Sequence, residues 1–220
     1  MNLGIGIPEI IGAVAAEEGF GPSLTLAADS GIIGGIPLSG LDMGAAINAE
    51  AELKLSDMIN ICHGGVLDLC ALGLAEIDVQ GNVNVSKFNG RVTGPGGFMD
   101  LTQATKKLIF MGTFTAGHLR EYCEGGKLII DHEGRYKKFK KTVEQITFSG
   151  TYAAARNQDV LVVTERAVFC LTPDGLMLTE IAPGIDIERD IIAQMEFRPL
   201  MAADLKTMDA RIFYPSAMGI

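Results

Sequence analysis

The sequence is most tightly constrained where an apolar run ends in a carboxylate and then breaks into glycines. That stretch is Leu24-Thr25-Leu26-Ala27-Ala28-Asp29-Ser30-Gly31-Ile32-Ile33-Gly34-Gly35-Ile36-Pro37. Strand, acid and glycine loop in that order is how an open α/β sheet presents a reactive group at its carboxyl edge. Glycines let backbone N–H groups approach a ligand closely, and a carboxylate placed there can serve as a nucleophile. The same pattern also fits a turn aspartate that hydrogen-bonds its own loop. Spacing alone leaves both readings open.

The rest of the chain reads as α/β. Asn2 to Ile5 form a buried strand, and Pro8 starts a helix that runs to Glu18 and stops at Gly19. Leu24 to Ala28 are the next strand. Ala45 to Lys54 have helical composition, and Met58 to Cys62 return to strand. Leu67 to Asp78 are mostly strand, turning at Gln80-Gly81-Asn82 into Val83-Asn84-Val85. Met99 to Thr105 predict a short helix before the strand Lys107 to Met111. Lys127 to Asp131 and Tyr136 to Phe139 flank Glu133-Gly134 as a hairpin. Asp159 to Thr164, Ala167 to Leu171 and Leu176 to Ile181 are β-rich. Asp186 caps a helix through Met195, and a last helix covers Ala203 to Ile212.

Early strands alternate with helices and later ones form hairpins. The expected fold is α/β, an open mixed, partly parallel sheet with helices on both faces. No repeat, low-complexity tract or linker divides the chain, so residues 1–220 read as one domain.

Composition narrows the function. With 220 residues and 48% hydrophobic content a packed core is assured. A net charge of −9 argues against a nucleic-acid surface. No signal-peptide pattern and no run of about 18 apolar residues is present, so no membrane association is expected and the expected location is cytoplasmic. Cys62, Cys70, Cys123 and Cys170 have no CxxC spacing, and form no metal cluster with the three histidines. They read as reduced, mostly buried thiols.

Two further glycine clusters invite a ligand. Gly4 and Gly6, in Leu3-Gly4-Ile5-Gly6-Ile7-Pro8, sit at a strand-to-helix junction where N–H groups face an anion, or else serve close strand–helix packing. The dinucleotide fingerprint is broken, because Glu9 stands at the third glycine's place. Gly94-Pro95-Gly96-Gly97 suits an anion nest or contact with a thioester oxygen, or a plain turn. His63, His118 and His132 are scattered. Arg135, Lys137, Lys138, Lys140 and Lys141 alternate with Tyr136 and Phe139, as on the solvated face of a hairpin.

Together these blocks resemble the family I coenzyme A-transferases of the acetate/propionate/3-oxoacid type, in the C-terminal half or β subunit. The resemblance is carried by Asn2 to Pro8, Asp29 to Gly35, His63-Gly64-Gly65-Val66-Leu67-Asp68, Gly81-Asn82-Val83, Lys87 to Gly90, Gly94 to Leu101, Thr164 to Phe169 and Glu180 to Asp186. It implies a CoA-transferase β-type domain. It also implies a reaction in which a short-chain acyl-CoA hands CoA to a free carboxylate through an enzyme-carboxylate thioester. Asp29 falls at the position of the family's nucleophilic glutamate, and Ala27 at that of the preceding threonine. Gly4, Gly6, Gly34, Gly35, Gly94, Gly96 and Gly97 fall in the substrate and CoA-binding blocks. The resemblance implies no metal or redox cofactor, with coenzyme A as a substrate. It also implies an α-type partner chain or domain and a homo- or hetero-oligomer. Aspartate sets the carboxylate back by about 1 Å, a displacement that costs on the order of a hundredfold in rate. The alternative implied by that change, and by the missing α-type half, is a CoA-binding or inactive fragment.

Overall fold

The computed structural model of the chain describes residues 1–38, 42 and 44–219. It is a mixed α/β structure. Where the sequence reads as one domain, two compact units form.

The first unit comprises Met1–Gly73 and Gly94–Met111, with Gly219. Its centre is parallel sheet. Strand β1 (Asn2–Leu3) pairs in parallel with β6 (Leu69–Gly73), in the register Asn2↔Cys70 and Leu3↔Ala71. The strand Lys107–Met111 pairs in parallel with β6 on its other side, from Lys107↔Leu69 to Met111↔Gly73. Cys70 and Ala71 are fully buried, as a strand flanked on both sides must be. Helix α1 (Ile10–Glu17) follows a 3₁₀ turn at Ile7–Glu9. Strand β1 is shorter than expected, ending before Ile5, which is 77% exposed.

Around Asp29 the sequence expectations need correction. Leu24–Ala28 make no regular strand, since Ala27 forms only an isolated bridge to Ile33. The stretch Ala45–Lys54 is not helical. It holds two short strands, β4 (Ala46–Ile47) and β5 (Ala51–Glu52), which pair antiparallel with β3 (Ile36–Pro37) and β2 (Ile32–Ile33). The glycine loop therefore lies against a returning chain, and pairing outweighs the helical propensity of Ala and Glu. Met58–Cys62 is helix, not strand: α2 spans Leu55–His63 and buries Met58 and Cys62, four residues apart on one face. Helix α3 (Phe98–Ala104) forms where expected and stacks Phe98 on Phe110, with centroids 5.8 Å apart.

The second unit comprises Leu74–Thr93 and Gly112–Met218. Strands Asp159–Val163, Ala167–Thr172 and Gly175–Ile181 form an antiparallel meander. The segment Leu200–Thr207 is a strand running parallel to Gly175–Ile181, in place of the expected helix from Ala203. Lys127–His132 pairs with Arg120–Glu124 about Gly125-Gly126, rather than with Tyr136 onward. Both glycines have positive φ, 58° and 73°, which suits a tight hairpin turn. Asp186 caps as expected, its carboxylate accepting from Arg189 N, although the helix it starts is a π turn, Ile187–Ile191. Phe114, Phe139 and Phe169 make the aromatic core, with centroids 4.4 to 6.3 Å apart. Phe139 and Lys138 are buried, so the basic run is not a uniformly solvated face. Arg166 is buried completely and is held by Glu133 and Glu165 at 2.7 and 2.6 Å.

Candidate active site

The first unit places Asp29 at the end of a tethered but irregular segment. Ala27 N donates to Met1 O at 2.9 Å, and Ala28 N to Ile32 O at 2.8 Å. Gly34 N donates back to Leu26 O at 2.7 Å. These bonds turn the chain sharply at Asp29-Ser30 and leave the Asp29 side chain half-buried. Ser30 Oγ donates to Gly44 O at 2.6 Å, which fixes the far side of the turn.

The second glycine loop meets this carboxylate. A β-carbon placed on Gly97 would lie 2.9 Å from Asp29 Oδ2 and 3.6 Å from Ile59 Cδ1. Glycine is thus the residue that lets the loop backbone reach the acid. Gly94 and Gly96, with φ of 86° and 54°, face open space. Four of the eight proposed site residues are thus Asp29 and the loop glycines Gly94, Gly96 and Gly97, of which Gly97 meets the acid.

The other glycines are placed differently. At Gly34 a β-carbon would fall 2.6 Å from the Glu50 side chain, and at Gly35 it would fall 2.5 Å from Ile47 O. The space at both positions is filled by the returning chain. Gly4 packs on Leu72 and donates its N–H to Ala71 O at 2.7 Å. Gly6 faces open space, but its N–H points to Glu9 Oε1 at 3.2 Å. Gly4 thus serves close packing against strand β6, not strand–helix packing, and nothing packs on Gly6 within 4 Å.

The charge of Asp29 reaches two thiols that the sequence marks only as reduced and buried. Burial, and then the charges of Asp29 and Asp100, push the Cys62 thiol up, so it stays protonated. Burial pushes Cys70 up to about 12, with Cys62 and Asp29 adding to it. Asp100 also faces His63, Oδ1 to Nδ1 at 3.4 Å, on an exposed surface. Asn2, 2% exposed, donates from Nδ2 to Ala27 O at 2.8 Å. The signal for Asn2 was present: a polar side chain inside an apolar buried strand must find partners. A cavity of about 60 Å³ opens behind the segment, lined by Leu3, Leu26, Ala28 and Ile32. Among the described residues, no three His, Cys, Asp or Glu side chains are grouped to hold a metal ion. Chemically, the arrangement offers a half-buried carboxylate abutted by Gly97 of the glycine loop, with the protonated Cys62 thiol close enough to feel its charge.

No family model matches the chain. It is 49% identical over 218 residues to the acetate CoA-transferase YdiF of Escherichia coli (strain K12), covering 99% of this chain and 41% of that protein. It is 47% identical over 218 residues to the caffeate CoA-transferase of Acetobacterium woodii, covering 97% of this chain and 41% of that protein. The acetate CoA-transferase subunit beta of E. coli (strain K12) is 29% identical over 220 residues, with 94% of this chain and 88% of that subunit covered. Among solved structures, the acyl-CoA transferase YdiF of E. coli O157:H7, in a thioester complex with CoA, superposes with a TM-score of 0.94 at 47% identity. That match covers 100% of this chain and 41% of that one. The glutaconate coenzyme A-transferase of Acidaminococcus fermentans shares the fold, with a TM-score of 0.69 at 20% identity over 98% of this chain and 83% of that one. The chain spans about two fifths of the length of its single-chain relatives.

Proposed function

Because the chain belongs to the family I coenzyme A-transferases, in the part that two-chain members carry as their β subunit, we propose that it is the nucleophile-bearing half of an acyl-CoA:carboxylate CoA-transferase. The observation that carries the reading is the Asp29 carboxylate, held at the end of its tethered segment with Oδ2 against Gly97.

The proposed chemistry runs in two exchanges and their reversal. An Asp29 oxygen attacks the thioester carbonyl carbon, the C–S bond breaks, and CoA leaves as thiolate. The acyl group then sits on Asp29 as a mixed anhydride. The thiolate attacks the aspartyl carbonyl carbon, and the acyl carboxylate leaves. Asp29 now carries CoA as a thioester, the state in which the YdiF relative was solved. The acceptor acid runs the same steps backwards. The first exchange trades a C–S bond for a C–O bond and the second trades it back, so the sequence balances without a metal or redox cofactor. CoA is a substrate whose distant contacts help hold the reacting atoms together.

The substrates proposed are short-chain acyl-CoAs and small carboxylates of the acetate or 3-oxoacid class. This rests on relatives named for acetate and 3-oxoadipate. The proposed partner is an α-type chain or domain, within a homo- or hetero-oligomer in the cytoplasm. No helix among the described residues is long and apolar enough to cross a membrane.

The test is to assemble the chain with its α-type half, add acetyl-CoA and a second carboxylate, and trap with borohydride or hydroxylamine. Exchange of CoA together with a mass change on the peptide bearing Asp29 is expected. Absence of both CoA exchange and modification at Asp29 would overturn the reading.

A further inference from the structure

Asn2 is a polar residue where an apolar one would ordinarily stand. It lies in β1, directly opposite Cys70 on β6, and is 2% exposed. An amide in such a place must find both a donor and an acceptor. It finds them on two different elements. Its Nδ2 donates to Ala27 O at 2.8 Å, two residues before Asp29. Its Oδ1 accepts from Cys70 Sγ at 3.7 Å. The orientation of the amide follows from the chemistry: a carbonyl can only accept, so nitrogen must face Ala27.

The segment it grips needs such a tether. Leu24–Ala28 form no ladder, and Ala27 makes only a single bridge, to Ile33 on the loop side. Toward β1, the Asn2 side chain adds to the backbone bond from Ala27 N to Met1 O. The far end of the relay is secured as well. The Cys70 thiol is fully buried and pushed up to about 12, so it keeps the proton it donates.

We propose that Asn2 is a positioning residue: through the relay Cys70–Asn2–Ala27 it fixes where the Asp29 carboxylate sits relative to the thioester. This rests on Asp29 being the nucleophile. Displacing that carboxylate by about 1 Å costs on the order of a hundredfold in rate. The interaction acts on placement of the acid and makes no contact with CoA.

The test uses the assembled enzyme, this chain with its α-type half, and follows single-turnover formation of the Asp29 adduct from acetyl-CoA. Asn2→Leu keeps the branched side-chain skeleton and removes both hydrogen bonds. The expected result is adduct formation slower by about a hundredfold, with KM for acetyl-CoA little changed. In an Asp29→Asn background, Asn2→Leu is expected to leave acetyl-CoA binding unaltered. Cys70→Ser, which keeps a donor for Oδ1, is expected to react faster than Cys70→Ala. Folded Asn2→Leu that reacts at the parent rate overturns the inference. So does Asn2→Leu that weakens acetyl-CoA binding in the Asp29→Asn background. Should Asn2→Leu fail to fold, equal rates for Cys70→Ser and Cys70→Ala overturn it instead. A parent enzyme that transfers CoA with no adduct at Asp29 refutes the functional reading itself, a result distinct from these.

Discussion

Asp29 Oδ2 and Gly97 are neighbours that leave no room for a side chain: a β-carbon on Gly97 would lie 2.9 Å from that oxygen. Gly97 has an ordinary backbone conformation, φ −75°. Alanine is therefore allowed there by the backbone and opposed only by the carboxylate. Gly97→Ala is expected to slow adduct formation by on the order of tenfold or more, with little change in thermal midpoint. In an Asp29→Ala background no carboxylate opposes the added methyl, so Gly97→Ala is expected to leave acetyl-CoA binding unchanged. A folded Gly97→Ala enzyme with the parent single-turnover rate would refute the contact.

Asp29→Asn preserves shape and removes the nucleophile. Transfer is expected to fall by on the order of a thousandfold or more, while acetyl-CoA still binds. Steady-state exchange and calorimetric binding, measured side by side, check this. Loss of binding in step with loss of rate would assign Asp29 to substrate capture instead.

The second unit carries a buried charge cluster whose role is stability. Arg166 is fully buried. It donates to Glu133 and Glu165, and its guanidinium lies 5.0 Å from the Phe114 ring centroid. Arg166→Met strands two carboxylates, and a cost of about 3–5 kcal/mol is expected in urea unfolding. Hydrogen bonds from Arg166 and Thr115 outweigh burial and hold the Glu133 carboxyl below its ordinary range. Its contribution is therefore complete above the unfolded value of about 4.3 and is lost as pH falls through the lower folded one. A parent chain whose stability is flat between about pH 5 and about pH 3 would contradict the pairing.

Lys138 gives the opposite pH signature. It is 7% exposed, and burial pulls it down to about 8, with Glu165 opposing. Between that value and the unfolded value of about 10.4, the unfolded chain holds a proton that the native chain has released. Stability from this group therefore rises with pH across that window. Lys138→Met is expected to remove the rise and to stabilise the chain at neutral pH, where the parent must bury a charge. Denaturation at a series of pH values reads both effects.

Local chemistry made much of the fold legible. Gly125-Gly126, Asn89-Gly90 and Pro173-Asp174-Gly175 all punctuate turns, although Glu133-Gly134 offers a competing signal to the first. Asp186 was readable as a cap because capping needs only its own carboxylate and a nearby N–H. Met58-Ile59-Asn60-Ile61-Cys62 misled because a short apolar run looks alike in strand and helix. Only the burial of Met58 and Cys62 on one face resolves it. Ala45–Lys54 and Ala203–Ile212 misled for a different reason. Their composition favours helix, but each holds residues that pair with a strand distant in sequence.

By itself the sequence determined the ordered blocks, and with them the family resemblance, the carboxylate at position 29 and the glycines that punctuate the loops. These depend on residue type and on neighbours along the chain. Tertiary structure decided what each glycine is for. Gly34 and Gly35 admit the returning strands, Gly4 packs on Leu72, and Gly97 alone among the described glycines is shown abutting the Asp29 carboxylate. It also decided that Asn2 reaches Ala27 across 25 residues of sequence. Such contacts arise from the pairing of distant segments, and no local pattern of residues encodes the distance between them.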